Sequence, residues 1–582
     1  MAGKLIPVRK NKPERPVSSV MSTSNSFEPI RARGYNLIRD PMLNKGTAFS
    51  PRERSELGLL GLVPSAHSTI EEQAQRIYAS LKEKPTALEK YVGLMSLQDR
   101  NEYLYYRVLC DHLEEFMPII YTPTVGLATQ NFGRVFRRGR GVWLTPDLRG
   151  QAEEVLRGAV GDRRVRLLVV TDGESILGIG DHGAGGMAIS VGKLALYTAG
   201  AGIHPTQTLP IMLDVGTDNQ ALLYDELYLG WRHRRLRGAE YDEFVEEFVT
   251  AVQALFPGAL IQWEDFRKDN ALTIMERYRA RVPSFNDDIQ GTGAVALASL
   301  LGAMRVTGSK LAEQRIVIFG AGAAGLGITR QLKVALAQEG LGSDQLVKSM
   351  AVLDSGGLLV DDRQLDDAYK QELAWPSELA AEAGLGSSSA RDLAAVVAQV
   401  RPTVLVGASG QPGSFTEAII RGVAKHCERP VILPFSNPTN LVEATPEDIL
   451  RWTGGRALIA TGSPFEPVTW GNTSVQIGQA NNVFIFPGLG LGALLSGATR
   501  VTESMIGAAA YALADAVTDE ELATGLLLPA MSRLRDVSVH VAKAVVDQAA
   551  QEGVSTIATS EFDHAQIKAS MWEPHYRDYT AA

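Results

Sequence analysis

RIVIFGAGAAG, residues 315–325, places an apolar run directly before three spaced glycines, and the helical pattern LGITRQLKVALAQEG follows at once. Strand, glycine loop and helix in that order form a dinucleotide-binding arrangement. Gly320 permits the tight turn, Gly322 lets a pyrophosphate approach the backbone, and Gly325 lets the helix pack closely. Free N–H groups at the helix start then face the phosphates. The next strand-like run, MAVLD, ends in Asp354, a carboxylate placed to accept hydrogen bonds from an adenosine ribose. Its distance along the chain exceeds the usual spacing of about 20 residues, so the intervening helix must be long or carry an insertion. Ser355, Gly356, Gly357, Asp361 and Asp362 follow. With no basic residue read beside Asp354 to receive a 2′-phosphate, the segment predicts NAD over NADP.

Strand-like and helical runs alternate on both sides of this unit. Upstream are RLLVV, GKLALYTAG, LPIMLDVG, EYDEFVEEFVTAVQALF and ALIQW; downstream are PTVLVGAS, RPVILPFSN and RALIATGS. Such alternation implies an α/β architecture with parallel strands. Residues 55–117 have helical spacing, with Leu104, Val108 and Phe116 able to share a face, and Pro118 ends that region. Helical sequence returns after Thr518. The expected organisation is an N-terminal helical segment with an α/β substrate and metal domain (41–286), a Rossmann-type NAD-binding domain (287–545) and a helical C-terminal extension (546–582). Residues 1–40, where Lys4, Arg9, Lys10, Lys12 and Arg15 precede a serine-rich stretch, read as an untethered tail; lacking an apolar h-region, they do not read as a secretory signal.

The 582 residues carry 57 Lys plus Arg against 66 Asp plus Glu, a formal charge of −9, with 45% apolar and 21% charged residues. Those fractions suit a globular chain and exclude disorder for most of it. The acidic balance gives no electrostatic reason to bind nucleic acid. Two cysteines, Cys110 and Cys427, cannot build a disulfide framework or a Cys-rich zinc site, which favours a reducing, cytoplasmic setting. The stretch VFIFPGLGLGALLSGA, Val483–Ala498, is shorter than the roughly 18 residues of a span and is broken by Pro487 and glycines, so it reads as buried core with no membrane partner.

Glu264 and Asp265 sit at a strand end in LIQWEDF, and Asp287 and Asp288 sit in FNDDIQGTG. Four carboxylates ending neighbouring elements repel one another unless a cation neutralises them, and hard oxygen ligands suit Mg²⁺ or Mn²⁺. Lys193 lies in the mostly uncharged stretch GAGGMAISVGKLALYTAG, where desolvation is expected to lower its pKa toward the range of a general base. Tyr121 follows the apolar run MPII at a turn. Taken singly, each is more often a structural residue, Lys193 a snorkelling side chain and Tyr121 a core aromatic.

In order, MPIIYTPTVG, VVTDGESILGIGD, VGKLALYTAGAGI, LDVGTDNQALL, WEDF, FNDDIQGT, GAGAAG, PFSNPT, TGSPF and NNVFIFPG resemble the malic enzyme family, including its large bacterial NAD-linked members. The match runs from about residue 40 almost to the C-terminus. The resemblance implies oxidative decarboxylation of (S)-malate to pyruvate and CO₂ with NAD and a divalent metal, in a homo-oligomer, either dimer or tetramer. It places Glu264, Asp265 and Asp288 at the metal-ligand positions, Lys193 at the general base, Tyr121 at the general acid and Asp287 beside the lysine. Asn437, Asn481 and Asn482 take the positions of amides that contact substrate and nicotinamide. One departure stands out: Ser175 occupies the position where the family usually carries an arginine that grips a substrate carboxylate. A hydroxyl lacks the planar fork of a guanidinium, so that bidentate contact is lost. Malolactic enzymes, which convert malate to lactate and CO₂ with NAD kept bound, share much of this wording and also have a small residue there. A non-catalytic NAD-binding or metabolite-sensing protein and a plain malate dehydrogenase are the remaining alternatives. The first has no need of both proton-transfer groups, the second none of an acidic metal cluster.

Overall fold

The computed structural model describes residues 27–582 except 177, 366, 388–390 and 559–561. Two parallel sheets carry the architecture, in agreement with the α/β expectation. The first has five strands in the spatial order Val142–Leu144, Thr208–Leu213, Leu167–Thr171, Leu260–Glu264 and Ser284–Asn286, all parallel. Its central strands are buried on both faces and accordingly read as continuous apolar runs. Register sets Thr171 beside Glu264 and Trp263 beside Asn286, so WED and FNDD end side by side at the carboxyl edge.

The second sheet has seven strands in the order Gly478–Gln479, Leu458–Thr461, Val431–Pro434, Val404–Gly407, Ile316–Phe319, Met350–Asp354 and Gly357–Leu358; only the last pairs antiparallel. The order reverses between Ile316–Phe319 and Val404–Gly407, the crevice where doubly wound sheets bind ligands. Helix Ala323–Gln338 leaves the glycine loop, and a second helix, Ser343–Ser349, supplies the insertion that lengthens the path to Asp354.

Between the sheets runs helix Thr292–Thr307, entered through a single π-turn at Asp287–Gly291. As one 21-residue element this is long and apolar enough to cross a membrane, but 72% of its apolar window is buried inside the protein. It packs on helix Ala323–Gln338 and helix Glu503–Asp515. Close approach depends on small residues: a Cβ on Gly293 would meet the Gly327 carbonyl oxygen at 2.5 Å, and one on Gly327 would meet that of Ile289 at 1.9 Å. Within Val483–Ala498, the apolar helix Phe486–Ser496 is buried against helix Leu534–Gln551.

Three sequence expectations are corrected. Helical sequence before Pro118 breaks earlier, at His112, and Pro118 lies inside the helix Leu113–Ile120; Leu104, Val108 and Phe116 are all buried but sit on two helices. Within the expected tail, residues 27–40 form the strand Glu28–Ile30 and the helix Gly34–Arg39, because the strand pairs in parallel with Tyr579–Ala581 and Leu37 is buried; the basic residues 4–15 lie outside the described residues. At the other end, the 545/546 boundary falls within the continuous helix Leu534–Gln551. The C-terminal segment then returns to the N-terminal helices, where Lys45 donates to Glu53 Oε1 at 2.7 Å and Tyr579 N donates to the same oxygen at 2.7 Å.

Candidate active site

A cavity of about 1180 Å³ opens between the two sheets and is lined by residues from Tyr121 to Asn482. Among them are Tyr121, Ser175, Lys193, Glu264, Asp265 and Asp288 from the first half and Gly320, Gly322, Asp354, Asn437, Asn481 and Asn482 from the second. Asp287 is fully buried directly behind this surface.

Lys193 lies on helix Met187–Ala201, which is buried on nearly every side. Its ammonium pairs with Asp287 Oδ2 and with Glu264 Oε1, the latter at 2.9 Å. The expectation of a lowered pKa is overturned. Burial does push the ammonium down, but the adjacent Asp287 and Glu264 carboxylates outweigh it and hold the group well above its ordinary value. The ammonium also lies 5.3 Å from the Tyr121 ring centroid and 4.8 Å from that of Phe486. Burial raises the Tyr121 phenol, with Lys193 opposing and Glu264 adding to the rise.

Carboxylate oxygens of Glu264, Asp265 and Asp288 lie within 4.8 Å of one another. Asp265 adopts φ +59°, a conformation uncommon outside glycine, and its N–H donates to Asp288 Oδ2 at 2.8 Å. Glu264 is pushed up to about 8, chiefly by burial, with Lys193 working the other way and Asp288 and Asp287 adding to the rise. Burial and the Asp288 and Glu264 charges push Asp265 well up; Asp288 rises to about 6, again mainly through burial. Asp265 Oδ2 and Asp287 Oδ1 are buried without a hydrogen-bond partner among the described residues. Orphaned oxygens in an all-oxygen cluster that resists ionisation fit a hard divalent cation.

The nucleotide-side residues meet at the switch point. Gly320 adopts φ +126°, and a Cβ there would lie 2.2 Å from the Ala408 carbonyl oxygen; one on Gly325 would lie 1.8 Å from that of Gly320. Around Gly322 there is open space. Asp354 is not isolated from cations as expected. Arg363 donates to both its oxygens at 2.7 and 2.8 Å, and Lys370 donates to Oδ2 at 2.7 Å. The loop after the strand folds back and brings both cations to the strand end. Burial disfavours the Asp354 charge, but Lys370 and Arg363 hold the carboxyl below its ordinary range.

The amides are occupied differently. Asn482 Nδ2 donates to the Asp287 carbonyl at 3.0 Å and to its Oδ2 at 3.1 Å, while Asn481 Oδ1 accepts from Val483 N at 3.0 Å. Asn437 Oδ1 accepts from Ser463 Oγ at 2.6 Å. Ser175 is exposed, and its N–H donates to the Asp265 carbonyl at 2.9 Å.

Sequence reading missed several partners. Tyr197 donates to Gln262 Oε1 at 2.5 Å, and Gln262 donates to Glu264 Oε2 at 3.0 Å, fixing that carboxylate; the signal was a glutamine two residues before it, in phase on the same strand face. Arg267 and Lys268 line the cavity beside Ser175. Arg267 is held by Asp269 at 2.6 Å, and Lys268 pairs with Asp367 of the second domain.

A Rossmann-type sheet facing a lysine and clustered carboxylates across one cleft defines a two-domain, nucleotide-dependent oxidoreductase. Residues 98–279 match the malic enzyme N-terminal domain, and residues 289–550 match the malic enzyme NAD-binding domain. The chain belongs to the malic enzyme family. It is 47% identical over 546 residues to an NAD-dependent malic enzyme of Sodalis glossinidius, covering 94% of this chain and 96% of the relative. A Pseudomonas aeruginosa NAD-dependent malic enzyme is likewise 47% identical over 549 residues, with 94% and 97% covered. Among solved structures, the fold resembles Entamoeba histolytica malic enzyme (TM-score 0.55, 23% identity, 88% of this chain and 90% of that one). It also resembles the malic enzyme of Pyrococcus horikoshii (TM-score 0.52, 25% identity, 78% and 87%).

Proposed function

We propose that this chain oxidatively decarboxylates (S)-malate to pyruvate and CO₂ with NAD, assisted by Mg²⁺ or Mn²⁺. The observation that carries the proposal is Lys193 buried between Asp287 and Glu264, in the cleft that joins the carboxylate cluster to the glycine loop. Glu264, Asp265 and Asp288 would hold the cation, which would supply Lewis-acid polarisation of the C2 oxygen when bound, and NAD in the glycine-loop crevice would supply the hydride acceptor. Lys193 passes its ammonium proton to the adjacent Asp287 carboxylate, which also holds the lysine in position, and as the neutral amine accepts the C2 hydroxyl proton. Tyr121, on the same cavity wall, delivers a proton to C3 after CO₂ leaves. Gly320, Gly322 and Gly325 let the dinucleotide approach, and Asp354 orients its ribose. Asn437, Asn481 and Asn482 border substrate and nicotinamide.

Ser175 contributes a hydroxyl only, and we assign the missing cation to Arg267, which lines the same cavity and would turn from Asp269 and Glu174, its present partners, to a substrate carboxylate. As working units, the first sheet with the π-turn that follows it carries substrate and metal, and the second sheet carries NAD. The two unpaired cysteines suit a cytoplasmic enzyme, and exposed Tyr224, Leu227 and Leu229 suit a homo-oligomer. Incubation with malate, NAD and Mn²⁺ tests the assignment. Pyruvate with stoichiometric NADH is expected. Lactate without free NADH would make it a malolactic enzyme, the reading that Ser175 favours; oxaloacetate would make it a simple dehydrogenase, and no turnover a binding protein. A higher kcat/KM with NADP than with NAD would overturn the cofactor assignment.

A further inference from the structure

A second cavity, of about 650 Å³, lies on the far side of the π-turn from the catalytic cleft. Both domains build it: Arg279 comes from the end of helix Lys268–Tyr278, Arg330 and Lys333 from helix Ala323–Gln338, and Arg500 from the turn before helix Glu503–Asp515. Met275, Val334 and Val501 supply an apolar floor. The four cations face three carboxylates, those of Glu276, Glu372 and Glu503, so the lining is net positive. Arg330 is committed to Glu372 at 2.6 Å, and Lys333 to the Glu372 carbonyl at 3.2 Å. Arg279 and Arg500 are exposed, and neither forms a salt bridge among the described residues.

The cavity connects to the catalytic cluster through one side chain. Gln290 lines it, donates to Glu503 Oε1 at 2.6 Å and accepts from Asn286 N at 2.9 Å. Asn286 in turn caps the π-turn by accepting from Ile289 N at 2.9 Å, and that turn carries Asp287 and Asp288.

We infer that this cavity is an effector site for a small organic anion with an apolar body, held by Arg279 and Arg500 and coupled to the catalytic carboxylates through Gln290. Both arginines have donors to spare, and an anion between them ties the substrate domain to the turn that starts helix Glu503–Asp515. π-turns recur at functional sites, and this one carries Gln290 together with Asp287 and Asp288, so a pull on Gln290 is relayed to both carboxylates. The coupling rests on the malate-oxidising assignment; the site itself does not.

Calorimetry on the NAD-saturated protein with phenyl phosphate, and separately benzoate, tests the site without turnover. At least one probe is expected to bind at millimolar concentration or tighter. Arg279→Ala/Arg500→Ala should weaken binding at least tenfold while leaving kcat/KM for malate, measured without probe, within twofold of the parent. Unchanged affinity in the double variant would place the probe elsewhere and overturn the site, as would no binding of either probe at 10-millimolar order. For the coupling, the probe should shift the KM for malate at least twofold in the parent, and Gln290→Ala should keep the affinity but lose the shift. A shift that survives in Gln290→Ala would refute the relay.

Discussion

Replacing Lys193 by methionine separates the proton-transfer role of the lysine from its electrostatic one. The ammonium is 1% exposed and is the cation nearest two buried carboxylates, those of Asp287 and Glu264. Methionine keeps the unbranched side chain up to the ε position and removes the charged nitrogen, leaving those acids unpaired. Breaking a buried pair from one side costs about 3–5 kcal/mol. Protonation of Glu264, already pushed up to about 8, caps the loss near the lower end. Removing a positive charge beside the cation site also strengthens metal binding, since a unit charge at 4 Å is worth about 4 kcal/mol at an effective dielectric constant of 20. The metal-free variant is therefore expected to melt earlier than the parent and to gain more from Mn²⁺, bringing the two melting curves together. Turnover of malate should fall about 10²- to 10⁴-fold, the usual worth of a positioned base. Oxaloacetate, which already has its C2 carbonyl, needs no hydroxyl deprotonation, so the variant should decarboxylate it far better than it oxidises malate. Normal malate turnover would refute the base assignment, and equal loss on both substrates at saturating Mn²⁺ would reduce Lys193 to a structural cation.

Chelation with EDTA should abolish turnover reversibly, and Asp288→Asn should raise the Mn²⁺ requirement at least tenfold in a titration of activity, because one of the three clustered carboxylates is lost. Arg267→Ala should raise the KM for malate about tenfold or more, as expected for a lost charge-assisted contact, and Ser175→Arg in that background should restore it; an unchanged KM removes Arg267 from the site. Asp354→Ala frees Arg363 and Lys370, and the ratio of kcat/KM for NADP over NAD should then rise at least tenfold. Lys45→Met should destabilise the protein by about 3 kcal/mol at pH 7 by stranding the buried Glu53 carboxylate. Burial opposes the Glu53 charge, but Lys45 and the Tyr579 and Ser50 N–H groups hold its pKa below 4.5. Its contribution is therefore present above pH 4.5 and is lost as pH falls through the folded value, so the parent and variant denaturation midpoints should converge in acid.

Most of the fold was legible because its signals are local. RIVIF followed by GAGAAG fixes a strand, a turn and a helix start by sterics alone, and the glycine clearances are set by backbone atoms nearby in sequence or on the adjacent strand. WED and FNDD could be paired because each ends an apolar run, and parallel strands bring such ends to one edge. The protonation behaviour of Lys193 was not legible. Its own helix is nearly uncharged, so sequence context suggested desolvation, whereas the carboxylates that decide its state come from a strand end and from the π-turn, some 70 and 94 residues away. The cations on Asp354 escaped for a related reason: Arg363 and Lys370 lie only 9 and 16 residues beyond it, but only a loop that reverses direction brings them back. The end strand Glu28–Ile30 was unreadable because its partner lies at the opposite terminus.

The contacts between the domains explain why the proposed catalytic acids sit at the seam. Asp287 and Asp288 belong to neither sheet; they occupy the turn that leaves the first sheet and starts the helix packed against the second. That turn is wedged against the glycine-loop helix at Gly327, where no side chain larger than hydrogen fits. A tilt of the nucleotide-binding helix therefore presses on Ile289, and with it on Asp287 beside Lys193 and on Asp288. Asn482 ties the same Asp287 to the far end of the second domain by two hydrogen bonds. A ligand that changes the angle between the sheets changes the geometry of proton transfer by rigid contact alone. The site is built where binding of either substrate is felt by both.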